Sequence, residues 1–555
     1  MGDFLEPSDV YPSEHIGRVF GEVKTGEFRF FIVPLRNILL KTSDFVVLDD
    51  PLHGEWCPII AKIVDLTHRE EVSTTEKSVR TVATCKVIGQ VDLRNPEKIP
   101  VYMVKYPVNP GTYVYIAKHS FIQDIFCRSR EGYPLKDKLF LGWFAEKVTD
   151  ENGESSKVDF YISLEELVKQ HSAVLSMAGF GKTQLVTVIL EEIANKYNYP
   201  VFVLDLYGEY FGVGKGKEEI KDYPFNFKVN VYTFDLRRVS DYLDVKVKDK
   251  TNYRLFRFAV LGGWLDKVEE LSYLLASNKN DIEALNLLFS HVLTIHEDVL
   301  RKFGVSPFVL VVLELQRIAE QGGVQDPFTG VERKVALTLL GRVRSLVEGG
   351  LVWLGKDEKF FEAYMLDAED RLCKAYGRTP IPKTGLRVEI PVESLSPESM
   401  VKLGQVSVFD VGSFSEDLKR RVATLVLVKL YKARLEGKIP GFFLVIEGID
   451  RLFSEVCFME VIRRLIDEGL RLNISVCMAS QHPSKIEEVL GQVGVRFIGR
   501  LLNIEDLNCL KQVLGEEVLK EIPRMVVGEW FVDGLQKFPL EQPVRIRIRE
   551  KYSKI

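Results

Sequence analysis

Cysteine is scarce in this sequence: seven in 555 residues, at positions 57, 85, 127, 373, 457, 477 and 509, with no C-x-x-C pair. That excludes a disulfide scaffold and points to a reduced, cytoplasmic setting. Histidine is as sparse, with eight residues. His53 and Cys57 lie four residues apart, and a zinc site needs two more ligands nearby. An excess of positive charge is also missing. Lys and Arg total 74 against 79 Asp and Glu, a formal net charge of −5. A nucleic acid partner would have to be met by basic groups gathered in a groove or channel. No apolar run reaches the ~18 residues that a membrane span requires. The closest, FVLVVLELQRIA from Phe308, is broken by Glu314, so no membrane insertion is expected. The opening MGDFLEPSDVYPSEH is polar and acidic, unlike a secretory leader.

What is present is an ordinary globular balance, 46% hydrophobic and 28% charged, in a chain long enough for several domains. From residue 16 to about 165 the chain reads as short β-branched or aromatic runs: IGRVFGEV, FRFFIVPL, FVVLDD, IIAKIVDL, TVATCKVIGQV, YVYIA and KLFLGWF. Polar and Gly/Pro turns separate them, so residues 1–165 are expected to form a small β-barrel or sandwich. The pattern then changes. The apolar strand AVLS (173–176), the loop MAGFGKT, the helix QLVTVILEEIANKY and the strand PVFVLDL (200–206) make a strand–loop–helix–strand unit. That is the mark of a parallel α/β sheet. Residues 166–213 and 400–540 are expected to form this core, and the apolar strands QVSVFDV, GFFLVIEGI and ISVCMAS fall in its second part. Between them, 214–399 carries apolar residues at i, i+3, i+4 spacing and reads as a largely helical insertion. Residues 541–555, with VRIRIRE, read as a C-terminal strand and tail.

The main chemical signal is Ser176-Met177-Ala178-Gly179-Phe180-Gly181-Lys182-Thr183, followed by Gln184. A phosphate-binding loop needs backbone N–H groups turned inward around an anion, glycine where a side chain would collide, and a helix N-terminus behind it. Lys182 would reach the β- and γ-phosphates of ATP, and the Thr183 hydroxyl would ligate Mg²⁺. The usual spacing, G-x-x-x-x-G-K-[ST], has glycine where this chain has Ser176. Such an ATPase also needs an acid at the end of a later apolar strand, which Phe443-Leu-Val-Ile-Glu447 supplies for the magnesium shell. The next position commonly holds the glutamate that polarises the attacking water, and here it is Gly448. Glu209, Glu447 and Asp450 are the acids left for that role.

Taken in order, these motifs resemble the HerA-like branch of the HerA/FtsK DNA-translocating ATPases. The resemblance runs over nearly the whole chain: IGRV and NPGTYV in the barrel region, LGWF, the phosphate loop, Asp205-Leu-Tyr-Gly-Glu209-Tyr210, VSVFDVGSF (406–414), LVIEG, Ser480-Gln481-His482-Pro483-Ser484, GRLLNIEDL (499–507) and the closing PVRIRIR. It implies a P-loop (RecA-like) ATPase core forming a homohexameric ring around double-stranded DNA, with ATP between neighbouring subunits. It also implies a NurA-like nuclease docked on the barrel in DNA end resection and repair.

By the same resemblance Gln481 is a sensor of the γ-phosphate or lytic water. Arg471, with Arg463 and Arg464 in reserve, is the arginine that crosses the subunit seam. Asp205 and Glu209 lie where α/β sheets place ligands, either ordering water or shaping the loop. Lys246, Lys248, Lys250, Arg333, Lys334, Arg342 and Arg344 are candidates for phosphate contacts in a DNA channel. Two alternatives stay open: a DNA-transfer or packaging motor of the same superfamily, and a nucleotide-binding ring or adaptor whose hydrolysis is weakened by Gly448.

Overall fold

A computed structural model describes residues 7–33, 39–49, 57–72, 77–149, 153–210, 212–214, 227–233, 253–257, 268–295, 307–321, 323–348, 396–453, 456–539 and 542–553. The chain divides into two compact units, 1–193 with 481–551 and 194–480 with 552–555.

The first unit opens with a barrel. Its strands are β1 (Gly17–Lys24), β2 (Glu27–Ile32), β3 (Phe45–Leu48), β4 (Ile59–Val72), β5 (Lys77–Val91), β6 (Val101–Tyr102) and β7 (Tyr113–Ile116). The order β2-β1-β7-β3-β4-β5 closes on itself through antiparallel pairing of β2 with β5, from Glu27 opposite Lys86 to Phe31 opposite Val82. Closure leaves those six strands without a bare edge. Alternate residues point inward: Val19, Phe28, Phe30, Val46, Leu48, Ile59, Ala61 and Ile63 share one buried cluster.

The chain continues through β8 (Lys138–Phe144), the short hairpin β9 (Val148–Thr149) and β10 (Ser155–Ser156), β11 (Asp159–Ser163) and β12 (Ser172–Leu175). Next come β13 (Val201–Asp205), β14 (Lys228–Thr233), β15 (Tyr253–Arg257), β16 (Gln405–Asp410), β17 (Phe442–Glu447) and β18 (Ile474–Ser480). The last strands are β19 (Val495–Ile498), β20 (Glu529–Asp533) and β21 (Val544–Ile548). In the first unit the order is β11-β8-β21-β20-β19-β12. Only β12 and β19 run parallel there; β19-β20-β21-β8-β11 is an antiparallel extension. In the second unit the order is β18-β17-β13-β16-β14-β15, parallel throughout. Strands β13, β16, β17 and β18 are buried along their whole length, as sheets covered on both faces require.

Two expected boundaries move. KLFLGWF leaves the barrel: β8 pairs with β21 and β11. Gly142, at φ 151°, makes this possible, because a Cβ there would sit 2.1 Å from the Arg547 carbonyl oxygen. VRIRIRE forms the expected C-terminal strand, β21, which lies between β20 and β8. The stretch 214–399 is not purely helical, because β14 and β15 extend the parallel sheet. Its described helices are Val268–Leu275, Lys279–Ile295, Pro307–Glu320 and Arg333–Glu348. Glu314, which breaks the longest apolar run, is buried and takes a 2.8 Å hydrogen bond from Arg317. Arg317 also forks onto Asp326 at 2.9 and 3.0 Å, so one guanidinium is shared by two buried carboxylates inside the helical layer. No described helix is long and apolar enough to cross a membrane.

Candidate functional site

The phosphate loop lies in the first unit. Buried β12 delivers it, and the helix Lys182–Tyr197 starts at its lysine. Gly179 and Gly181 have φ of 74° and 97°, a region that strongly favours glycine. They curl the backbone so that it can present amides to an anion ahead of a helix N-terminus. Lys182 is 7% exposed, and its ammonium donates to the carbonyl oxygens of Ser176 at 3.0 Å and Met177 at 3.2 Å. The charge is therefore held inside the turn. Met177 N–H donates to the Arg500 carbonyl at 2.9 Å, tying the loop to the segment after β19. Phe180 is buried edge-on against Trp530, with centroids 5.7 Å apart. Thr183 stands in the first helical turn, partly exposed. Gln184 turns away to donate to the Arg549 carbonyl at 3.1 Å.

Ser176 in place of glycine has a structural counterpart. It is completely buried, and a Cβ on Gly499 would lie 2.8 Å from the Ser176 Cβ and 2.7 Å from the Phe180 ring. The missing side chain is thus at 499, and the serine fills room that Gly499 leaves.

Behind the loop, Arg549 is 3% exposed and reaches Glu191 at 3.1 Å and Glu192 at 3.2 Å on the phosphate-loop helix. Glu192 also accepts from the Phe140 amide at 2.8 Å. The closing segment and β8 therefore fix the helix that carries Lys182 and Thr183.

Gln481 directly follows β18 and is half-buried. The rest of the S-Q-H-P-S turn is anchored by Asp506, from the GRLLNIEDL segment. Asp506 accepts from the Ser484 hydroxyl at 2.6 Å and its amide at 3.0 Å, and lies 3.4 Å from the His482 ring. Two motifs read separately in the sequence are tied together by the buried Asp506.

In the second unit, Glu447 ends β17, only 1% exposed. The Tyr210 hydroxyl donates to its carboxylate at 2.6 Å, and that phenol is itself fully buried. Asp205 ends β13 and is wholly buried. One of its oxygens accepts from the amides of Tyr207 (3.1 Å), Gly208 (2.7 Å) and Glu209 (3.1 Å), and the other from the amide of Tyr210 (2.9 Å). Asp205 therefore builds the D-x-x-G-E-Y turn. Burial, and then the charge of Asp410 beside it in register, push its carboxyl up to about 7 despite those amides. Glu209, at the tip of the turn, is exposed.

Gly448 follows Glu447 with φ 70° and ψ 30°. A Cβ there would lie 2.5 Å from the Tyr207 ring and 2.9 Å from its hydroxyl oxygen. The Arg451 guanidinium covers the same ring at 4.9 Å. Asp450 is 6% exposed in the short turn that follows. Arg471 is exposed in the turn Gly469–Leu472 after the helix Val456–Glu468, and Arg463 is also exposed. Arg464 is engaged by Glu460 at 3.0 Å. Of the basic candidates for DNA, Lys246, Lys248 and Lys250 lie outside the described residues. Arg333 donates to the Ala319 carbonyl at 2.9 Å and Arg342 to Asp281 at 2.8 Å, while Lys334 and Arg344 are exposed. Tyr207, Tyr210, Asp410, Gly499 and Asp506 were not singled out by motif reading. The D-x-x-G-E-Y pattern contained Tyr210 without revealing its partner.

A buried strand, a turn with two left-handed glycines and Lys-Thr at a helix start, within a mixed α/β chain, define a phosphate-loop NTPase fold. Residues 148–286, which include this loop, match the family model described as Helicase HerA, central domain. The DNA double-strand break repair helicase HerA of Pyrococcus furiosus is 29% identical over 96% of this chain and 92% of its own length. A probable helicase of Methanocaldococcus jannaschii, MJ1565, is 25% identical over 40% of this chain, and the match spans 41% of that protein. Among solved structures, VirB4 of Thermoanaerobacter pseudethanolicus aligns over 75% of this chain and 97% of its own, with a TM-score of 0.43 at 12% identity. The chain is thus similar to HerA-type helicases, through one relative over nearly its whole length and through the family model over the segment that holds the phosphate loop.

Proposed function

We propose that this chain is an ATP-driven motor that moves along double-stranded DNA as a homohexameric ring. The observation that carries this reading is the buried Lys182 ammonium inside a turn shaped by Gly179 and Gly181 at a helix start. That donor set suits a triphosphate: inward amides, one fixed positive charge and a hydroxyl in the next position. Lys182 meets the β- and γ-phosphates, and residues Ser176 to Gln184 shape the cradle. Thr183 and Glu447 are assigned to the magnesium shell. When bound, Mg²⁺ neutralises charge on the phosphates. Glu447 is held in one orientation by Tyr210, as a metal-shell carboxylate requires. Gln481 is assigned to sensing the γ-phosphate. Arg471 is assigned to the neighbouring subunit's nucleotide, because its exposed position leaves it free to leave its own surface. Asp205 is a positioning residue, with both oxygens committed to the turn that presents Glu209.

On this reading the barrel docks a NurA-like nuclease and the pair acts in DNA end processing. The name of the Pyrococcus furiosus relative, a double-strand break repair helicase, supports that assignment. Gly448 favours a second reading, a nucleotide-binding ring with slow hydrolysis, because removing a general base commonly lowers a rate by roughly 10²–10⁴-fold. ATP turnover by the purified chain, with and without linear duplex DNA, separates the two. A motor turns over ATP and is stimulated by DNA. A ring or adaptor binds nucleotide with no DNA-dependent turnover.

A further inference from the structure

Two phenols leave the same Asp205-built turn, and they are treated differently. Tyr210 is spent: its hydroxyl donates to Glu447. Tyr207 is not. Its hydroxyl oxygen is buried from solvent and has no hydrogen-bond partner among the described residues. A buried hydroxyl left unmade is costly and rarely kept in a native fold without a reason. Its position is specific. The ring lies over Gly448, and the hydroxyl oxygen is 2.9 Å from the point where a side chain at 448 would begin. The space beside the strand-end acid, where the resemblance puts a glutamate, is therefore held by Tyr207, and a left-handed glycine makes room for it. Arg451 covers the ring at 4.9 Å and so steadies it.

We propose that the Tyr207 hydroxyl holds the attacking water beside Glu447, taking over the orienting part of the role that a side chain at position 448 would have. This rests on the reading of the chain as an ATPase. Burial pushes the Tyr207 phenol up to about 12, so at neutral pH it stays protonated and acts as a hydrogen-bond donor and acceptor. It orients the water and does not deprotonate it. Such a site keeps geometry and gives up a strong base, so turnover is slow but present.

The test is Tyr207→Phe in the full-length chain. The readouts are ATP turnover with linear duplex DNA, affinity for a fluorescent ATP analogue, and thermal midpoint. The proposal expects kcat to fall at least tenfold, KM and analogue affinity to stay within twofold, and the thermal midpoint to hold or rise, because an unsatisfied hydroxyl is removed. A purely structural tyrosine would not give that split. Wild-type turnover with an unchanged or faster Tyr207→Phe overturns the proposal and leaves the ATPase reading standing. Analogue binding without wild-type turnover overturns both the proposal and the motor. Failure of the wild type to bind the analogue overturns the nucleotide reading itself.

Discussion

Putting a side chain back at position 448 should damage this protein rather than improve it. Gly448 sits at φ 70°, where an L-residue costs about 1–2 kcal/mol. Its Cβ would lie 2.5 Å from the Tyr207 ring, well inside contact distance. Moving the ring gives up the Arg451 stacking and forces neighbours off their rotamers, worth about 1–3 kcal/mol more. Gly448→Ala and Gly448→Glu should each lose about 2–5 kcal/mol, read from the urea midpoint of the second unit by circular dichroism. The two contributions can be separated. Tyr207→Ala removes the obstacle and leaves the backbone strain, so Gly448→Ala in that background should cost only about 1–2 kcal/mol. A loss below about 0.5 kcal/mol for Gly448→Ala, or the same loss with and without the Tyr207 ring, would refute the reasoning.

Arg549→Met leaves Glu191 and Glu192 buried without their fork, and breaking such a cluster costs about 3–5 kcal/mol. A loss below about 1 kcal/mol in the denaturation midpoint of the first unit would mean that the triad does not secure the phosphate-loop helix. Asp205 gives a pH signature. Burial pushes its folded carboxyl up to about 7, against 3.8 for a solvent-exposed aspartate, so its contribution is full at low pH and is lost as pH rises through about 7. The stability difference between wild type and Asp205→Asn, measured by urea denaturation from pH 4 to pH 8, should therefore shift against the wild type as pH rises. A difference constant across that range contradicts the assignment.

Strand existence was legible along most of the chain, but strand partners were not. KLFLGWF has the alternation of a barrel strand, and nothing local shows that Gly142 brings it against β21. KVNVYT and YRLFR were hidden in a stretch with helical spacing, because short buried parallel strands carry no clean period of their own. In the site, glycine and Lys-Thr announced the phosphate loop, since that chemistry is dictated by neighbouring residues. Gly499 making room for Ser176, Asp506 tying the S-Q-H-P-S turn and Tyr207 lying over Gly448 join residues far apart in sequence. Such compensations leave no local pattern. The two departures from the expected motif, Ser176 and Gly448, were visible as departures, and only the fold shows what each one accommodates.

The central claim is that the turn around Lys182 receives a triphosphate. Titration calorimetry of the full-length chain with Mg²⁺-ATP, beside Lys182→Ala shown by circular dichroism to be folded, tests it most directly. The account predicts saturable binding by the wild type and at least a hundredfold weaker binding by the variant. Equal affinity in the two proteins would contradict it.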